Sequence, residues 1–481
     1  MDSLPLGSDH TDGQKPSEYC AVVGYKGGGE ALDSLLTSLK TLQHRGQESA
    51  GIAVFKSGSV QVHKGMGLVS EVFNPKYSDF SFLDGSRVGI GHTRYSTAGR
   101  KTVENAGPFV VSSSVGYIAI SHNGEITNAE QLKESMKRRG ATFQTTSDTE
   151  VMLMEISRDV NEFGIVNGIK QAMNRLKGAY SATLLINDRL FAIRDPHGFR
   201  PLVIGRLPDG YLVASESCAI DVLGGELLRD VMPGEVVEIR EDGLHTLFVQ
   251  ASKSISHCMF EYVYFARPDS IIDGREVFDT RIELGRRLAR EHPVDADLVI
   301  PVPDSGRSQA LGYSMESGIP YNEGLIKNRF SERTFIMPTQ EQRRNAVKVK
   351  LNAIKSTVKD KRVVLVDDSI VRGNTMKHIV DILRRAGARE IHVRIGSPEI
   401  IAPCYFGVDM KTKDQFIAAG RTTEEIRKEI GADSLGYVSI EGLVDAIGFP
   451  AESLCLGCLT GKYPVTIPGE RHAAQSELEN F

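Results

Sequence analysis

Val363-Val364-Leu365-Val366 is followed at once by Asp367-Asp368, and then by Ser369-Ile370-Val371-Arg372-Gly373-Asn374-Thr375. Four apolar residues in a row read as a buried strand, and the flanking sequence alternates strand and helix. A helix near 276–291 leads to a strand at 297–301 and a helix near 305–317. A helix near 374–386 and a strand at 390–395 follow the Asp pair. This alternation requires a mostly parallel sheet with helices on its faces. The two carboxylates then fall at a strand's C-terminal edge, where open α/β sheets bind ligands. The loop beyond them runs into a helix start, whose N–H groups and dipole favour phosphate. Adjacent carboxylates suit sugar hydroxyls and Mg²⁺. A strand ending in two solvated aspartates, or a phosphoacceptor or dehalogenase-like aspartate site, would share Asp367 but would not account for the Ser369-to-Thr375 loop.

The first half reads differently. Cys20 to Tyr25 is a short buried strand, and Ala31, Leu32, Leu35, Leu36, Leu39 and Leu42 fall on one helical face. Short strands follow at 87–92, 116–122, 181–186, 190–193, 201–205, 210–214 and 234–239, with helices near 129–139 and 148–158. That mixture predicts a layered α+β domain of about 230 residues. Length supports several domains: 481 residues at roughly 150 per domain. Residues 1–19 are polar and lack the features of a secretory or mitochondrial leader. They read as a disordered tail or, as argued below, a propeptide. With 41% apolar and 25% charged residues the chain is not wholly disordered, and its net charge of −5 gives no general reason to expect binding to nucleic acid or an anionic membrane. No apolar run reaches the roughly 18–20 residues of a membrane helix.

Three segments resemble type I phosphoribosyltransferases. Asp367 to Thr375 matches that family's motif for phosphoribosylpyrophosphate (PRPP). Pro301-Val302-Pro303-Asp304-Ser305-Gly306 matches its pyrophosphate loop, and Lys327-Asn328-Arg329-Phe330 through Arg333-Thr334-Phe335 its flexible loop. The resemblance implies PRPP binding by Ser305, Lys327, Arg333, Asp367, Asp368, Ser369, Arg372, Gly373, Asn374 and Thr375. Ser305, Asp367 and Asp368 would hold Mg²⁺. Cationic groups suit a substrate with a pyrophosphate and a 5-phosphate.

Cys20 alone is weak evidence, since a lone Cys is most often a small buried hydrophobe. Its companions are His44-Arg45-Gly46-Gln47-Glu48-Ser49-Ala50-Gly51, Gly91-His92-Thr93-Arg94-Tyr95-Ser96, Ser121-His122-Asn123-Gly124-Glu125 and Ser147-Asp148-Thr149-Glu150. Together they resemble the glutaminase domain of class II, N-terminal-nucleophile (Ntn) amidotransferases. The resemblance implies that Cys20 attacks the glutamine amide, Arg94 clamps the α-carboxylate and Asp148 holds the α-ammonium. Asn123 and the Gly124 N–H would form the oxyanion hole, where fixed donors supply several kcal/mol. The base is the nucleophile's own α-amino group, with a reference pKa of about 7.7–8.0. While Tyr19 is attached that nitrogen is an amide, so removal of residues 1–19 is expected. Relatives read Cys-Gly at this point, whereas this chain has Cys20-Ala21.

The chain has six cysteines, too few for a disulfide scaffold. Cys218, beside Ala219 and Ile220, reads as a structural thiol. Cys258, Cys404, Cys455 and Cys458 are a complete ligand set for a structural zinc or an iron–sulfur cluster, and spacing leaves the choice open. Their flanking segments, Met259 to Ser270, Ala402 to Gly407 and Leu459 to Pro464, resemble the cluster-binding segments of amidophosphoribosyltransferases of the iron–sulfur, propeptide-bearing subgroup. That resemblance implies a [4Fe–4S] cluster on the four thiolates, mainly structural.

The combined resemblance covers Cys20 to about Pro464. It implies an αββα Ntn-hydrolase sandwich followed by an α/β type I phosphoribosyltransferase domain. The expected layout is a propeptide at 1–19, the glutaminase domain at 20–255, the phosphoribosyltransferase domain with the cluster segments at 256–468, and a tail at 469–481. The implied reaction takes glutamine, PRPP and water to 5-phosphoribosylamine, glutamate and pyrophosphate, the committed step of de novo purine synthesis. Ammonia would cross a sealed path to C1 of PRPP, and a loop around 327–350 would order when PRPP binds. A cytoplasmic homotetramer or homodimer inhibited by purine nucleotides is expected on the same ground. A sugar-phosphate aminating enzyme or an asparagine synthetase would share the first half but not the PRPP motif. A silent regulatory protein binding PRPP or nucleotides has only Ala21 in its favour.

Overall fold

The computed structural model describes residues 20–95, 101–252, 254–327, 351–410 and 416–467. The expected propeptide, Arg333 and most of the 327–350 loop lie outside them. The chain divides into two compact units. Among the described residues the first holds 20–278, 403–410 and 447–467, and the second holds 279–402 and 416–446.

Thirteen strands of the first unit form two antiparallel sheets. They are β1 (Ala21–Gly27), β2 (Ser49–Lys56), β3 (Ser59–Met66), β4 (Val88–Arg94), β5 (Phe109–Ser113), β6 (Gly116–Ile126), β7 (Gly178–Ile186), β8 (Arg189–Arg194), β9 (Val203–Leu207), β10 (Gly210–Ala214), β11 (Glu226–Asp230), β12 (Glu235–Arg240) and β13 (Gly243–Val249). One sheet runs β11-β9-β10-β1-β4-β2-β3 and the other β13-β12-β8-β7-β6-β5. Strand alternation then assigns the layers. Ala21, Val23 and Tyr25 of β1 pack with Leu32, Leu35 and Leu39 of α1 (Ala31–Thr41). Val22 of the same strand faces Leu185, Leu190 and Ala192 of the other sheet. On the far side Ile118, Ile120, Tyr180, Ala182 and Leu184 carry Met152, Ile156 and Val160 of α2 (Asp148–Phe163) and Ile169 and Met173 of α3 (Ile165–Arg175). The layers are therefore helix, sheet, sheet, helix, as expected.

Helix α3 has no counterpart in the sequence reading. Gly164 at φ +76° separates it from α2. At Gly168 a Cβ would stand 2.5 Å from the Val160 backbone, so only glycine allows the two helices to approach this closely. The β2–β3 hairpin was likewise not anticipated: β3 is half-buried along most of its length and carries no apolar alternation strong enough to mark it.

In the second unit β14 (Leu298–Pro301), β15 (Arg362–Asp367), β16 (Glu390–Ile395) and β17 (Ser434–Tyr437) form a parallel sheet in that order. Every residue of β14 is buried, as are Val363 to Asp367 of β15, the pattern of a sheet covered on both faces. Helices α4 (Val277–Glu291), α5 (Arg307–Ser317) and α6 (Asn374–Arg385) accompany it. Met376, Ile379, Val380 and Leu383 of α6 join Val363, Leu365 and Val393 in one core.

The division between units differs from the boundary expected at 255. Residues 256–278, 403–410 and 447–467 group with the first unit, not with the sheet that surrounds them in sequence. Backbone pairing is the reason. His257 and Cys258 pair in parallel with Leu454 and Cys455, and the Cys258 N–H donates to the Phe199 carbonyl at 3.1 Å. No helix among the described residues is long and apolar enough to cross a membrane.

Candidate active sites

Cys20 stands at the head of β1, the central strand of its sheet. Ala21 pairs with Thr93, which places Arg94, the last residue of β4, beside the thiol. Desolvation by surrounding protein pushes the Cys20 thiol up to about 11, and Arg94 only partly offsets this; Asp148 and Glu48 also bear on it. The thiol is therefore neutral near pH 7, and attack requires that a base remove its proton. Ala21 fits without strain: it is fully buried in the α1-facing core as an ordinary strand residue.

The other residues expected at a glutamine site come from three further elements. Arg94 is buried, with Nη1 3.5 Å from Glu48 Oε1. Asp148 opens α2; its Oδ2 accepts the Ile126 N–H at 2.9 Å and lies 4.0 Å from His122 Nδ1. Asn123 and Gly124 lie on β6, tied to β4 where His92 Nε2 meets the His122 carbonyl at 3.1 Å. Asn123 is fully buried, and among the described residues neither its Nδ2 nor its Oδ1 has a hydrogen-bond partner. Leaving such a group unmade costs about 1–3 kcal/mol, a cost that a ligand-binding role would explain. Gly124 adopts φ +147°, and a Cβ there would stand 2.0 Å from the Ala179 carbonyl oxygen. Only glycine can occupy that position.

In the second unit β15 delivers Asp367 and Asp368 to its C-terminal end, as expected. Both are buried. The Asp368 N–H donates to Asp367 Oδ1 at 2.9 Å, and Ser369 Oγ donates to Asp368 Oδ2 at 2.6 Å. Ser305, from the turn before α5, brings its Oγ to 3.4 Å from Asp367 Oδ1. The three oxygen donors expected for Mg²⁺ thus lie on adjoining loops. Gly373, at φ +79°, caps α6 and lets the loop turn into the helix. Asp367, Ser369, Arg372, Gly373 and Thr375 line one small cleft. Asn374 is exposed in the first turn of α6. Lys327 reaches Asp304 at 3.5 Å, with both side chains half exposed.

The four remaining thiols converge within the first unit. Cys258 and Cys455 are register partners. Burial is the main influence raising the Cys404, Cys455 and Cys458 thiols, and the neighbouring cysteines add to it. Cys404 Sγ accepts the Phe406 N–H at 3.4 Å. Among the described residues no three His, Cys, Asp or Glu side chains are arranged to hold a single ion. Cys218 is buried, its Sγ 3.8 Å from Glu216 Oε2, consistent with a structural thiol.

A family model for the glutamine amidotransferase domain matches residues 92–222, and one for the phosphoribosyl transferase domain matches residues 282–395. The chain is 52% identical to an amidophosphoribosyltransferase of Archaeoglobus fulgidus, over 94% of this chain and 99% of that protein. It is 46% identical to the amidophosphoribosyltransferase of Bacillus subtilis, over 94% and 95%. The chain belongs to the amidophosphoribosyltransferase family. Among solved structures, the glutamine PRPP amidotransferase of B. subtilis complexed with ADP and GMP superposes with a TM-score of 0.88 at 45% identity, covering 94% of this chain and 98% of that one. A structure described as the allosteric regulatory enzyme of purine biosynthesis gives the same score and identity.

Membership in this family does not by itself point to a buried charge network behind Cys20, to which the sequence reading gave no role. Arg45 is fully buried. It donates to Glu216 at 2.6 Å, to Glu261 at 2.8 and 3.0 Å, and through Nε to the Cys20 carbonyl at 3.4 Å. His44 Nε2 adds a 2.8 Å contact to Glu216. Burial pushes the Glu216 carboxyl up, but His44 and Arg45 together hold it well below the usual carboxylate range. The one available signal was the polar His44-Arg45 pair directly after the apolar face of α1.

Proposed function

We propose that this enzyme, a glutamine-dependent amidophosphoribosyltransferase of purine biosynthesis, divides its reaction between the two units, with Cys20 as the nucleophile of the first. Cys20 Sγ attacks the glutamine amide carbon, its proton leaves with the departing nitrogen as ammonia, and water then hydrolyses the thioester to glutamate. Ammonia displaces pyrophosphate at C1 of PRPP to give 5-phosphoribosylamine. The observation that carries the first half is the buried Asn123 amide without a partner beside Gly124. Together they offer two donors for the oxyanion that develops during attack. Arg94 suits the substrate carboxylate and Asp148 the α-ammonium.

The raised Cys20 thiol supports the need for a nearby base. An α-amino group at Cys20 would supply it, and this supports removal of residues 1–19. Intact mass of the active protein checks this: loss of those residues is expected, and activity with Met1 to Tyr19 attached overturns it.

In the second unit the paired carboxylates and the Ser369-to-Thr375 loop support ribose and 5-phosphate binding. Lys327 supports pyrophosphate binding, and Arg333, outside the described residues, would join it. The oxygen donors of Ser305, Asp367 and Asp368 suit Mg²⁺, a hard cation. When bound, the ion would offset charge on the departing pyrophosphate. Four mutually close thiols, three of them raised by burial and one already accepting a backbone N–H, would suit a [4Fe–4S] cluster on Cys258, Cys404, Cys455 and Cys458. Iron and acid-labile sulfide in anaerobically purified protein test this; stoichiometric zinc without sulfide overturns it. A cytoplasmic homo-oligomer responsive to purine nucleotides fits the same reading, and the ADP and GMP bound to the B. subtilis relative support the nucleotide response.

Glutamate release measured with and without PRPP, together with product formation from ammonia, tests the whole assignment. Glutamine-dependent and ammonia-dependent synthesis are both expected in the wild type. Absence of both would favour the silent regulatory reading.

A further inference from the structure

The segment around Cys404 does more than present a thiol. Phe406 and Gly407, two and three residues beyond it, touch both halves of the glutamine site. At Gly407, which adopts φ +100°, a Cβ would stand 2.9–3.1 Å from the backbone C, O and Cα of Gly124. The segment therefore lies directly against the glycine that contributes to the oxyanion hole. The Phe406 carbonyl accepts two bonds from Arg200, from Nη2 at 2.5 Å and Nε at 3.1 Å. Arg200 is fully buried. Its Nη1 reaches Glu261 at 3.4 Å, and Glu261 grips Arg45. Arg45 in turn holds the Cys20 carbonyl. The Arg200 backbone is itself fixed, since its carbonyl accepts Ser181 Oγ at 3.0 Å and Arg194 Nε at 2.8 Å. Phe199, the preceding residue, stacks on Phe406 with centroids 4.3 Å apart and planes 16° apart.

We propose that the Cys404–Gly407 segment positions the glutaminase site: Gly407 seats the Gly124 backbone, and Arg200 relays the position of the Phe406 carbonyl through Glu261 and Arg45 to Cys20. Arg200 and Gly407 are positioning residues; neither touches substrate. An anchored Cys404 thus keeps nucleophile and oxyanion hole in register, and release of that thiol lets both drift. Buried charged groups transmit this more faithfully than surface ones, because no water can substitute for a lost partner.

The inference rests on Cys20 as nucleophile and on the four thiols as cluster ligands, and the experiment separates these. The full protein, purified anaerobically, is assayed for iron and sulfide. It is then treated with a diazoketone analogue of glutamine, and capture at Cys20 is followed by mass spectrometry. No wild-type capture at Cys20 would refute the nucleophile, and absence of iron would refute the cluster, each independently of the coupling. Arg200→Met and Gly407→Ala, loaded with iron, are expected to lose at least about tenfold in capture rate, as small misplacements of reacting groups do. Their kcat with glutamine falls more than KM changes, while synthesis from ammonia is retained. Arg200→Lys, which keeps the charge but lacks the fork that reaches both partners, is expected to fall between. Wild-type capture rates in loaded Arg200→Met and Gly407→Ala would overturn the proposal. If a variant fails to take up iron, wild-type protein stripped of iron replaces it. Slowed capture with an unchanged circular dichroism spectrum then supports the coupling, and undiminished capture overturns it.

Discussion

The two sites treat charge in opposite ways. Behind Cys20, Arg45, Glu216 and Glu261 have side chains at most 2% exposed and satisfy one another before any substrate arrives. Around the pyrophosphate loop, Lys327, Asp304 and Arg307 have side chains 43–50% exposed. Exposed pairs are worth about 0–1 kcal/mol, so Lys327 can leave Asp304 for a phosphate at little cost. Breaking one partner of a buried pair costs about 3–5 kcal/mol. The difference matches the chemistry. The reacting amide of glutamine is neutral and cannot organise the groups around it, so that part of its site must be rigid and prearranged. PRPP brings several negative charges and can complete its own site.

The comparison can be broken in order of effect. Cys20→Ala should abolish glutamine-dependent synthesis by at least about 10⁴-fold, the scale of losing a nucleophile, while synthesis from ammonia persists. Equal loss with both nitrogen sources, measured by product formation, would mean that the sites are not separate. Asn123→Ala should lower kcat with glutamine by about 10²–10³-fold. Because its amide has no partner among the described residues, the substitution breaks no described hydrogen bond, and the melting temperature should not fall. A fall of several degrees would show that the amide holds the fold and not an oxyanion.

Asp367→Asn should reduce synthesis from either nitrogen source by about 10²-fold through misplaced PRPP. Capture of Cys20 by a glutamine analogue without PRPP should be unchanged. A pH series sharpens the contrast further. With residues 1–19 attached, Cys20 is a thiol raised to about 11, so the thiolate is the minor form throughout the neutral range. Its alkylation by iodoacetamide should rise about tenfold per pH unit from 7 to 10. A plateau near neutrality would show a thiolate already formed. The smallest effect belongs to Cys218→Ala, which removes a buried sulfur and should cost about 1 kcal/mol of stability. Calorimetry checks it, and glutamine turnover should be unaffected.

Much of this was legible in the chain because the signals are local. Val363 to Thr375 states its strand, edge and helix start within thirteen consecutive residues. Cys20, Arg94, Asn123 and Asp148 each sit at or near the end of a short element with motif residues around them. What stayed hidden depends on distance in sequence. Arg45 meets Glu216 and Glu261 across 171 and 216 positions. Helix α3 was missed because Gly168, usually a helix weakener, is used there for close packing.

Sequence alone supplied the candidate chemistry: a thiol proposed as nucleophile, an acidic strand end before a loop suited to phosphate, and four thiols left over. Residue identity and short spacing carry that information, because each motif folds on its own strand or turn. Only tertiary structure decided which unit owns the four thiols and what lies behind Cys20. Those depend on backbone pairing between 257–258 and 454–455, and on buried charges finding partners. Desolvation gives such contacts their force, and burial is a property of the folded chain that no local stretch of sequence records.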